Sequence, residues 1–406
     1  MTTTNAPGRR GLAAVPRGVW ALGLVSMFMD LSSELIHSLL PLYMAVGLGA
    51  SAFVIGIVEG LAEALALIVK VVSGVLSDRF RRRKPLVLLG YGLAAVTKLA
   101  FPLAPTLGWI VSARFADRIG KGIRGAPRDA LIADITPTDV RGAGFGLRQA
   151  LDTLGGVGGP LLALWAMAYF AGDFQAAFWV AVIPAAICVV IIVFGVHEPD
   201  RPDAGSGRAP AIAWRDIGRL GRRYAVIVGV AAVLTLARFS EAFLVLRAQN
   251  VGIPVASVPW VMVAMSLVYA IVAYPAGAAA DRGRGPRLLW CGFVALIVAD
   301  LILANARGPL TVYAGAAVWG LHMGLTQGLL AALVAAAAPA DLRGTAFGVF
   351  NLVCGIALLI ASALAGWLWD AFGPAMTFYA GAALTAAALA VLMFRGGDVG
   401  KLAGRA

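Results

Sequence analysis

The chain has 406 residues, of which 60% are hydrophobic and only 13% charged, whereas a soluble domain is nearer half apolar and a quarter charged. That composition excludes a soluble globular domain and points to a membrane protein with many spans. The net charge is +12, but Lys and Arg gather in short segments between apolar runs, so no soluble basic face exists to hold a nucleic-acid backbone.

Apolar runs of about 20 residues or more mark bilayer-spanning helices. Twelve are predicted, near 18–46, 53–77, 85–104, 107–134, 142–170, 174–196, 224–248, 257–280, 286–305, 309–336, 344–370 and 373–395. The segment before the first is short, polar and basic. The run after it continues through Asp30 and Glu34 without a small-residue cleavage site, so it reads as a retained helix. Basic residues fall on alternate connections: Arg9, Arg10 and Arg17; Arg79 to Lys84; Arg201 to Arg223; Arg282, Arg284 and Arg287; and Arg395, Lys401 and Arg405. The opposite loops, such as 47–51 and 102–108, are nearly uncharged. With twelve spans both termini are expected on the cytoplasmic side of a bacterial-type inner membrane. Cys188, Cys291 and Cys354 each lie within an apolar run, which indicates neither a disulfide framework nor a metal cluster. The expectation is no cofactor and no metal.

Charges inside the spans are the candidates for function, because each costs roughly 3 kcal/mol at membrane depth. Helix 1 carries Asp30, Glu34 and His37 on one face, near its middle and outer part. A buried carboxyl with a movable cation beside it switches its proton readily, so Asp30 and Glu34 are candidate proton carriers. The alternative is a static ion pair to a helix 4 cation. Helix 2 adds Glu59, Glu63 and Lys70, suited to proton entry or to pairing with Arg114. Lys98 in helix 3 is expected to snorkel to an interface.

Helix 4 is the most charged span. Asp117, Lys121, Arg124 and Arg128 recur at i, i+4, i+7 and i+11, which puts them on one stripe, with Arg114 and Arg118 beside them. This reads as the wall of a polar path. Asp117 joins the proton-coupling candidates. Arg118, Lys121 and Arg124 are candidate anion-binding groups, since arginine forks onto carboxylate or phosphate and lysine offers a point charge. Neutralisation of the whole group by nearby acids is the competing reading. In helix 5, Arg148 and Asp152 are spaced as a mutual pair, while Gly155, Gly159 and Pro160 permit close approach and a bend.

The second half is less charged. Arg238 and Glu241 in helix 7 are three residues apart, suited to solute binding or to each other. Helix 10 offers His322, Thr326 and the candidate solute ligand Gln327, and helix 11 offers Asn351. Trp260, Tyr269 and Tyr274 in helix 8 suit a cavity wall or a lipid interface.

The two halves repeat. Pro137-Thr-Asp139-Val-Arg141-Gly142 matches Pro339-Ala-Asp341-Leu-Arg343-Gly344 at an offset of 202, and Gly74-Val-Leu-Ser-Asp78-Arg79 matches Gly277-Ala-Ala-Ala-Asp281-Arg282 at 203. Ser33-Glu34 echoes Ser240-Glu241. Parallel six-helix repeats place a solute site between them near the midplane.

On these motifs the chain resembles the major facilitator superfamily over nearly its whole length. Gly74 to Lys84 is similar to the superfamily's loop 2–3 signature, with Arg81 where a Gly is usual. Arg118-Ile-Gly-Lys121-Gly122 is similar to the helix 4 pattern of proton-driven exporters, with Lys121 in place of a Gln. Gly155 to Pro160 resembles the antiporter helix 5 signature, without its trailing glycines.

The resemblance implies an all-α membrane fold of twelve helices in two pseudo-symmetric six-helix bundles, residues 1–196 and 224–406, joined by a cytoplasmic linker over 197–223. It implies a gating set of Gly74, Asp78, Arg79, Arg83, Arg141, Gly155, Gly159, Pro160, Asp281 and Arg343. It also implies a secondary transporter, not an enzyme, that works by alternating access. Its expected partners are a small solute, for which an anion is one candidate, protons and the bilayer, with no nucleic acid, and the chain is expected to be a monomer. Proton-coupled efflux is the first reading and proton-coupled import of an organic anion the second. A non-transporting sensor or a membrane-embedded enzyme is a remote third. Substrate, direction, coupling ion and stoichiometry stay open from sequence alone.

Overall fold

The computed structural model describes residues 15–80, 83–137, 140–198, 218–339 and 342–394; the side chains of residues 78–80, 281, 286, 332, 343 and 391–394 fall outside it. Candidates Asp78, Arg79, Asp281 and Arg343 therefore lie outside the described side chains, as do Asp139 and most of the 197–223 connection.

The described chain is helical throughout. In a bilayer a backbone that satisfies its own hydrogen bonds is the stable solution for an apolar run. The first six helices are α1 (Arg17–Leu42, continued by a π-helical turn Tyr43–Gly47), α2 (Ala52–Phe80), α3 (Lys84–Ala100), α4 (Leu107–Ile135), α5 (Arg141–Tyr169) and α6 (Phe174–Gly195). The second set is α7 (Gly221–Ala237), α8 (Ala242–Asn250), α9 (Trp260–Ala279), α10 (Gly285–Ala304), α11 (Pro309–Ala337), α12 (Arg343–Phe372) and α13 (Pro374–Phe394). Nine helical segments are long and apolar enough to cross a membrane among the described residues, with α7 and α8 together forming one of them. The remaining rods are α3, with 17 residues, the charged α4, and α13.

Local chemistry sets several ends. Thr106 caps α4 by accepting from Trp109 N, and the Asp173 carboxylate caps α6 by accepting from Gln175 N and Ala176 N. Gly373, at φ 92°, turns the chain between α12 and α13.

One expectation needs correction. The seventh span is not continuous over 224–248. It breaks after Ala237, where Arg238 takes an extended backbone at φ −105° and ψ 98°. Two serines replace the lost helical bonds: Ser240 Oγ accepts from Ala242 N at 3.2 Å, and Ser362 Oγ accepts from Ser240 N at 3.1 Å. The Ser-Glu pair at 240–241 is a helix-start signal that the uninterrupted apolar pattern around it concealed.

The two six-helix sets meet through α2 on α12, α5 on α9 and α1 on α8. Small residues allow the closest of these approaches. Gly56 and Gly60 of α2 face Ser362 and Leu359 of α12, Gly355 faces Ala64, and Gly366 lies against Ala52 and Phe53. At the same end the Asp370 carboxylate accepts from Ala52 N at 3.1 Å and Phe53 N at 2.9 Å, a favourable place for an anion beside a helix N-terminus. The two helix sets are thus in contact at the end bearing loop 48–51.

Candidate functional site: a charged layer inside the first helix set

The charges of α4 do not project into lipid. They turn towards α1, α2, α3 and α5, and Arg114, Asp117, Arg118 and Arg124 are buried. Arg114 Nη2 donates to Glu59 Oε2 at 2.5 Å and lies 3.1 Å from His37 Nδ1, with Arg114 and Glu59 both about 1% exposed. One turn further along, Asp117 Oδ1 accepts from Lys98 Nζ at 2.7 Å, and Asp117 Oδ2 accepts from Arg118 Nη2 at 2.9 Å. Lys98 Nζ also donates to Ser33 Oγ at 3.1 Å, and Arg118 Nη1 donates to Glu63 Oε1 at 2.9 Å. The expectation that Lys98 snorkels is overturned. It is wholly buried, because Asp117 and Ser33 give its ammonium partners inside the bundle.

Burying an ion costs several kcal/mol even after relaxation, and only close opposite charge and full hydrogen bonding offset that. The Lys98–Asp117–Arg118 group meets this condition, and Arg114–Glu59 meets it in charge, although Arg114 Nε and Glu59 Oε1 have no hydrogen-bond partner. The next turn of α4 meets it loosely. Lys121 keeps 45% of its side chain exposed, and its nearest carboxylate, Glu63, stands 3.8 Å away. Arg124 lies 3.7 Å from Asp30 and stacks on the Tyr91 ring at 4.6 Å, while its buried Nη1 has no hydrogen-bond partner. Glu34 is half-buried and forms no ion pair among the described residues. The static pair weighed for it is therefore absent there.

Glycines of α5 set the height of the α1 acids. A Cβ on Gly159 would stand 2.5 Å from Glu34 Cβ, and one on Gly155 would stand 3.0 Å from Asp30 Cβ. Only hydrogen at these positions lets α5 carry Pro160 against the acidic face of α1. Nearer the basic loops, Arg148 Nη1 pairs with Asp152 at 2.7 Å, as its spacing predicts. Arg128 donates to Ser26 Oγ at 2.9 Å and meets Asp129 at 3.0 Å.

The remaining candidates are scattered. Gly74 faces Ala126 of α4, and Arg83 meets Asp134 at 3.0 Å at the end of the same helix. Arg141 is exposed at the start of α5. Arg238 and Glu241 straddle the helix break without pairing; Glu241 lies 3.8 Å from His37 Nε2 of α1 instead. Gln327 and Asn351 are half-buried, with no hydrogen bond from either among the described residues. The His37–Glu241 meeting was not foreseen, because it joins residues 204 positions apart through the fold. Asp370 and its cap on α2 were likewise invisible, since an acid at a helix end carries no signal of what it will face.

The Major Facilitator Superfamily model matches residues 22–246 and again 235–403. The chain belongs to that superfamily. It is 31% identical over 391 residues to an uncharacterized MFS-type transporter of Methanocaldococcus jannaschii, covering 93% of this chain and 94% of that one. It is 26% identical over 405 residues to the inner membrane transport protein YajR of Escherichia coli, covering 95% and 83%. A crystal structure of a variant of the nucleoside transporter NupG superposes with TM-score 0.76 at 13% identity, covering 92% of this chain and 98% of that one. At that identity the likeness is one of fold. The chain is a multi-pass membrane transporter of a small solute.

Proposed function

We propose that the protein couples proton movement to transport of a small anionic solute across a bacterial-type inner membrane, with the boundary between its two bundles in the 197–223 connection and both termini cytoplasmic. Asp30 and Glu34 take the proton. Lys121 and Arg124 receive the negative charge of the solute, with Arg238 and Gln327 facing it from the second bundle. Asp117, held between Lys98 and Arg118, keeps α3 and α4 together rather than carrying a proton. Gly155, Gly159 and Pro160 form the element on which α1 rocks, and the contact of Asp370 with α2 opens when it does.

The observation that carries this reading is the contrast within one helix. Arg114 and Arg118 each hold a carboxylate within 2.9 Å, while Lys121 is half exposed and Lys121 and Arg124 stand 3.8 and 3.7 Å from theirs. Charge balance then supplies the coupling. Lys98, Arg114, Arg118, Lys121 and Arg124 are five cations; Asp30, Glu34, Glu59, Glu63 and Asp117 are five carboxyl groups. With all ionised the layer is neutral. A proton on Glu34 leaves one positive charge uncompensated, and an anion fills the deficit. Proton and anion therefore bind together, which favours symport and uptake. Efflux by antiport is the second reading, carried by the exporter-like Gly155 to Pro160 run on the acidic face of α1.

Membrane vesicles of both orientations separate the two. Uptake of a small carboxylate or phosphate ester into right-side-out vesicles under an inward proton gradient, lost in Glu34→Gln, is the expected result. Proton release from energised inverted vesicles on adding the same compounds, with no uptake in the other orientation, establishes antiport. No response to anions in either orientation contradicts the anionic solute.

A further inference from the structure

Asp300 stands apart from the charged layer. It lies in α10 of the second bundle, is fully buried, and neither carboxylate oxygen has a hydrogen-bond partner. Asp30, Glu59, Glu63 and Asp117 of the first bundle each have a cation within 4.0 Å; Asp300 has none among the described residues. An ionised carboxylate so placed would lose its hydration with nothing in return, at a large cost. A neutral carboxylic acid avoids that cost.

Its surroundings are specific. A Cβ on Gly381 of α13 would stand 2.7 Å from Asp300 Oδ2, 3.1 Å from Phe239 Cε1 and 3.3 Å from the Ala237 carbonyl oxygen. Ala237 and Phe239 belong to the break between α7 and α8. The break removes the bond that the Ala237 carbonyl would receive from residue 241 in a continuous helix. Asp300 Oδ2 and the Ala237 carbonyl oxygen freed by the helix break thus border the same small space, which the glycine leaves open. Phe239 in turn packs on Trp319 and Phe378, with ring centroids 5.3 and 5.4 Å apart.

Other titratable groups of the second bundle have bonds of their own, although the buried Nε2 of His322 has no partner among the described residues. Arg247 of α8 donates to the carbonyls of Leu303, Ala304 and Ala306 and to Asn250 Oδ1. His322 of α11 places Nδ1 on the Gly292 carbonyl, and Tyr379 of α13 donates to Asn305. Arg238 and Glu241, at the break itself, make no bond to Asp300. One carboxyl group and one backbone carbonyl beside a phenyl ring are too few oxygens for a metal ion, but they suit a proton.

We propose that Asp300 is a second proton-carrying group, independent of the acids of α1, and that its proton is tied to the helix break at 238–241. Protonated, Asp300 rests against the break and keeps Phe239 seated on Trp319 and Phe378. Loss of the proton to water requires the break to move so that water reaches the carboxylate. The seventh span then becomes the element that converts proton release in the second bundle into movement between bundles. Broken helices are where transporters commonly join binding to motion.

The test uses purified full-length protein and pH alone as the probe. Infrared spectroscopy at neutral pH should show a carboxylic-acid C=O band that is absent in Asp300→Asn, shifted in Asp300→Glu and retained in Glu34→Gln. Hydrogen exchange over residues 237–243, corrected for intrinsic rates, should quicken more than tenfold as the pH is raised through loss of that band, and stay slow in Asp300→Asn. An unaltered band in Asp300→Asn overturns the proposal, as does exchange with the same pH dependence in wild type and variant. Neither readout needs transport, so the outcome is independent of whether Glu34 and Lys121 carry the function assigned to them.

Discussion

The two halves of this transporter share a helical plan and use it oppositely. In the first, α4 carries Arg114, Asp117, Arg118, Lys121 and Arg124 into a layer where acids from α1 and α2 meet them. In the second, the matching helix α11 offers Trp319, His322, Thr326 and Gln327, and its neighbour α10 a single acid with no cation. The first half meets most of its buried charge with opposite charge, whereas in the second Arg247 is met by backbone carbonyls and Asp300 by no cation among the described residues. A duplicated fold with one polar and one apolar face at its midplane is suited to a solute with a charged end and an apolar body.

The contrast is broken most severely at the tightest pair. Arg114→Leu leaves Glu59 buried and uncompensated, and should cost about 3–5 kcal/mol, seen as a large drop in thermal stability of the purified protein. Lys98→Met should cost less, about 1.5–3 kcal/mol, because Arg118 still holds Asp117; adding Asp117→Leu to it should recover part of the loss. Next, Gly159→Ala pushes a methyl into Glu34 Cβ and should cost about 1–3 kcal/mol, while lowering transport more than stability because Glu34 is displaced. The change in the second bundle should be the smallest: Gln327→Leu should stay within about 0.5 kcal/mol. A loss there as large as at Arg114 would erase the difference between the halves.

Much of this plan was legible in the sequence, for physical reasons. The length of the apolar runs pointed to the spans, and the offset repeats to a duplicated helical plan. The i, i+4 and i, i+7 spacings put Asp117, Lys121 and Arg124 on one stripe, and Arg148 and Asp152 pair as spaced. What spacing does not carry is which helix each charge will meet. Lys98 looked like an interfacial lysine because Asp117 lies 19 residues away and reaches it only once α3 packs on α4. The break of the seventh span was hidden because Arg238 and Phe239 are ordinary helix residues, and the serine that receives the freed amide of Ser240 lies 122 residues further on. Asp300 drew no reading from the sequence, because only the packed bundle shows that no described cation reaches it.

The most direct measurement is dissipation of an imposed pH gradient in proteoliposomes, followed with an internal pH dye, on adding a panel of small carboxylates and phosphate esters. Wild-type protein should collapse the gradient with at least one anion, and both Lys121→Gln and Glu34→Gln, folded and inserted as well as wild type, should not. Equal collapse in all three proteins, or collapse with cationic solutes alone, would contradict the assignment of proton and anion to the loosely paired turn of α4 and its facing acids.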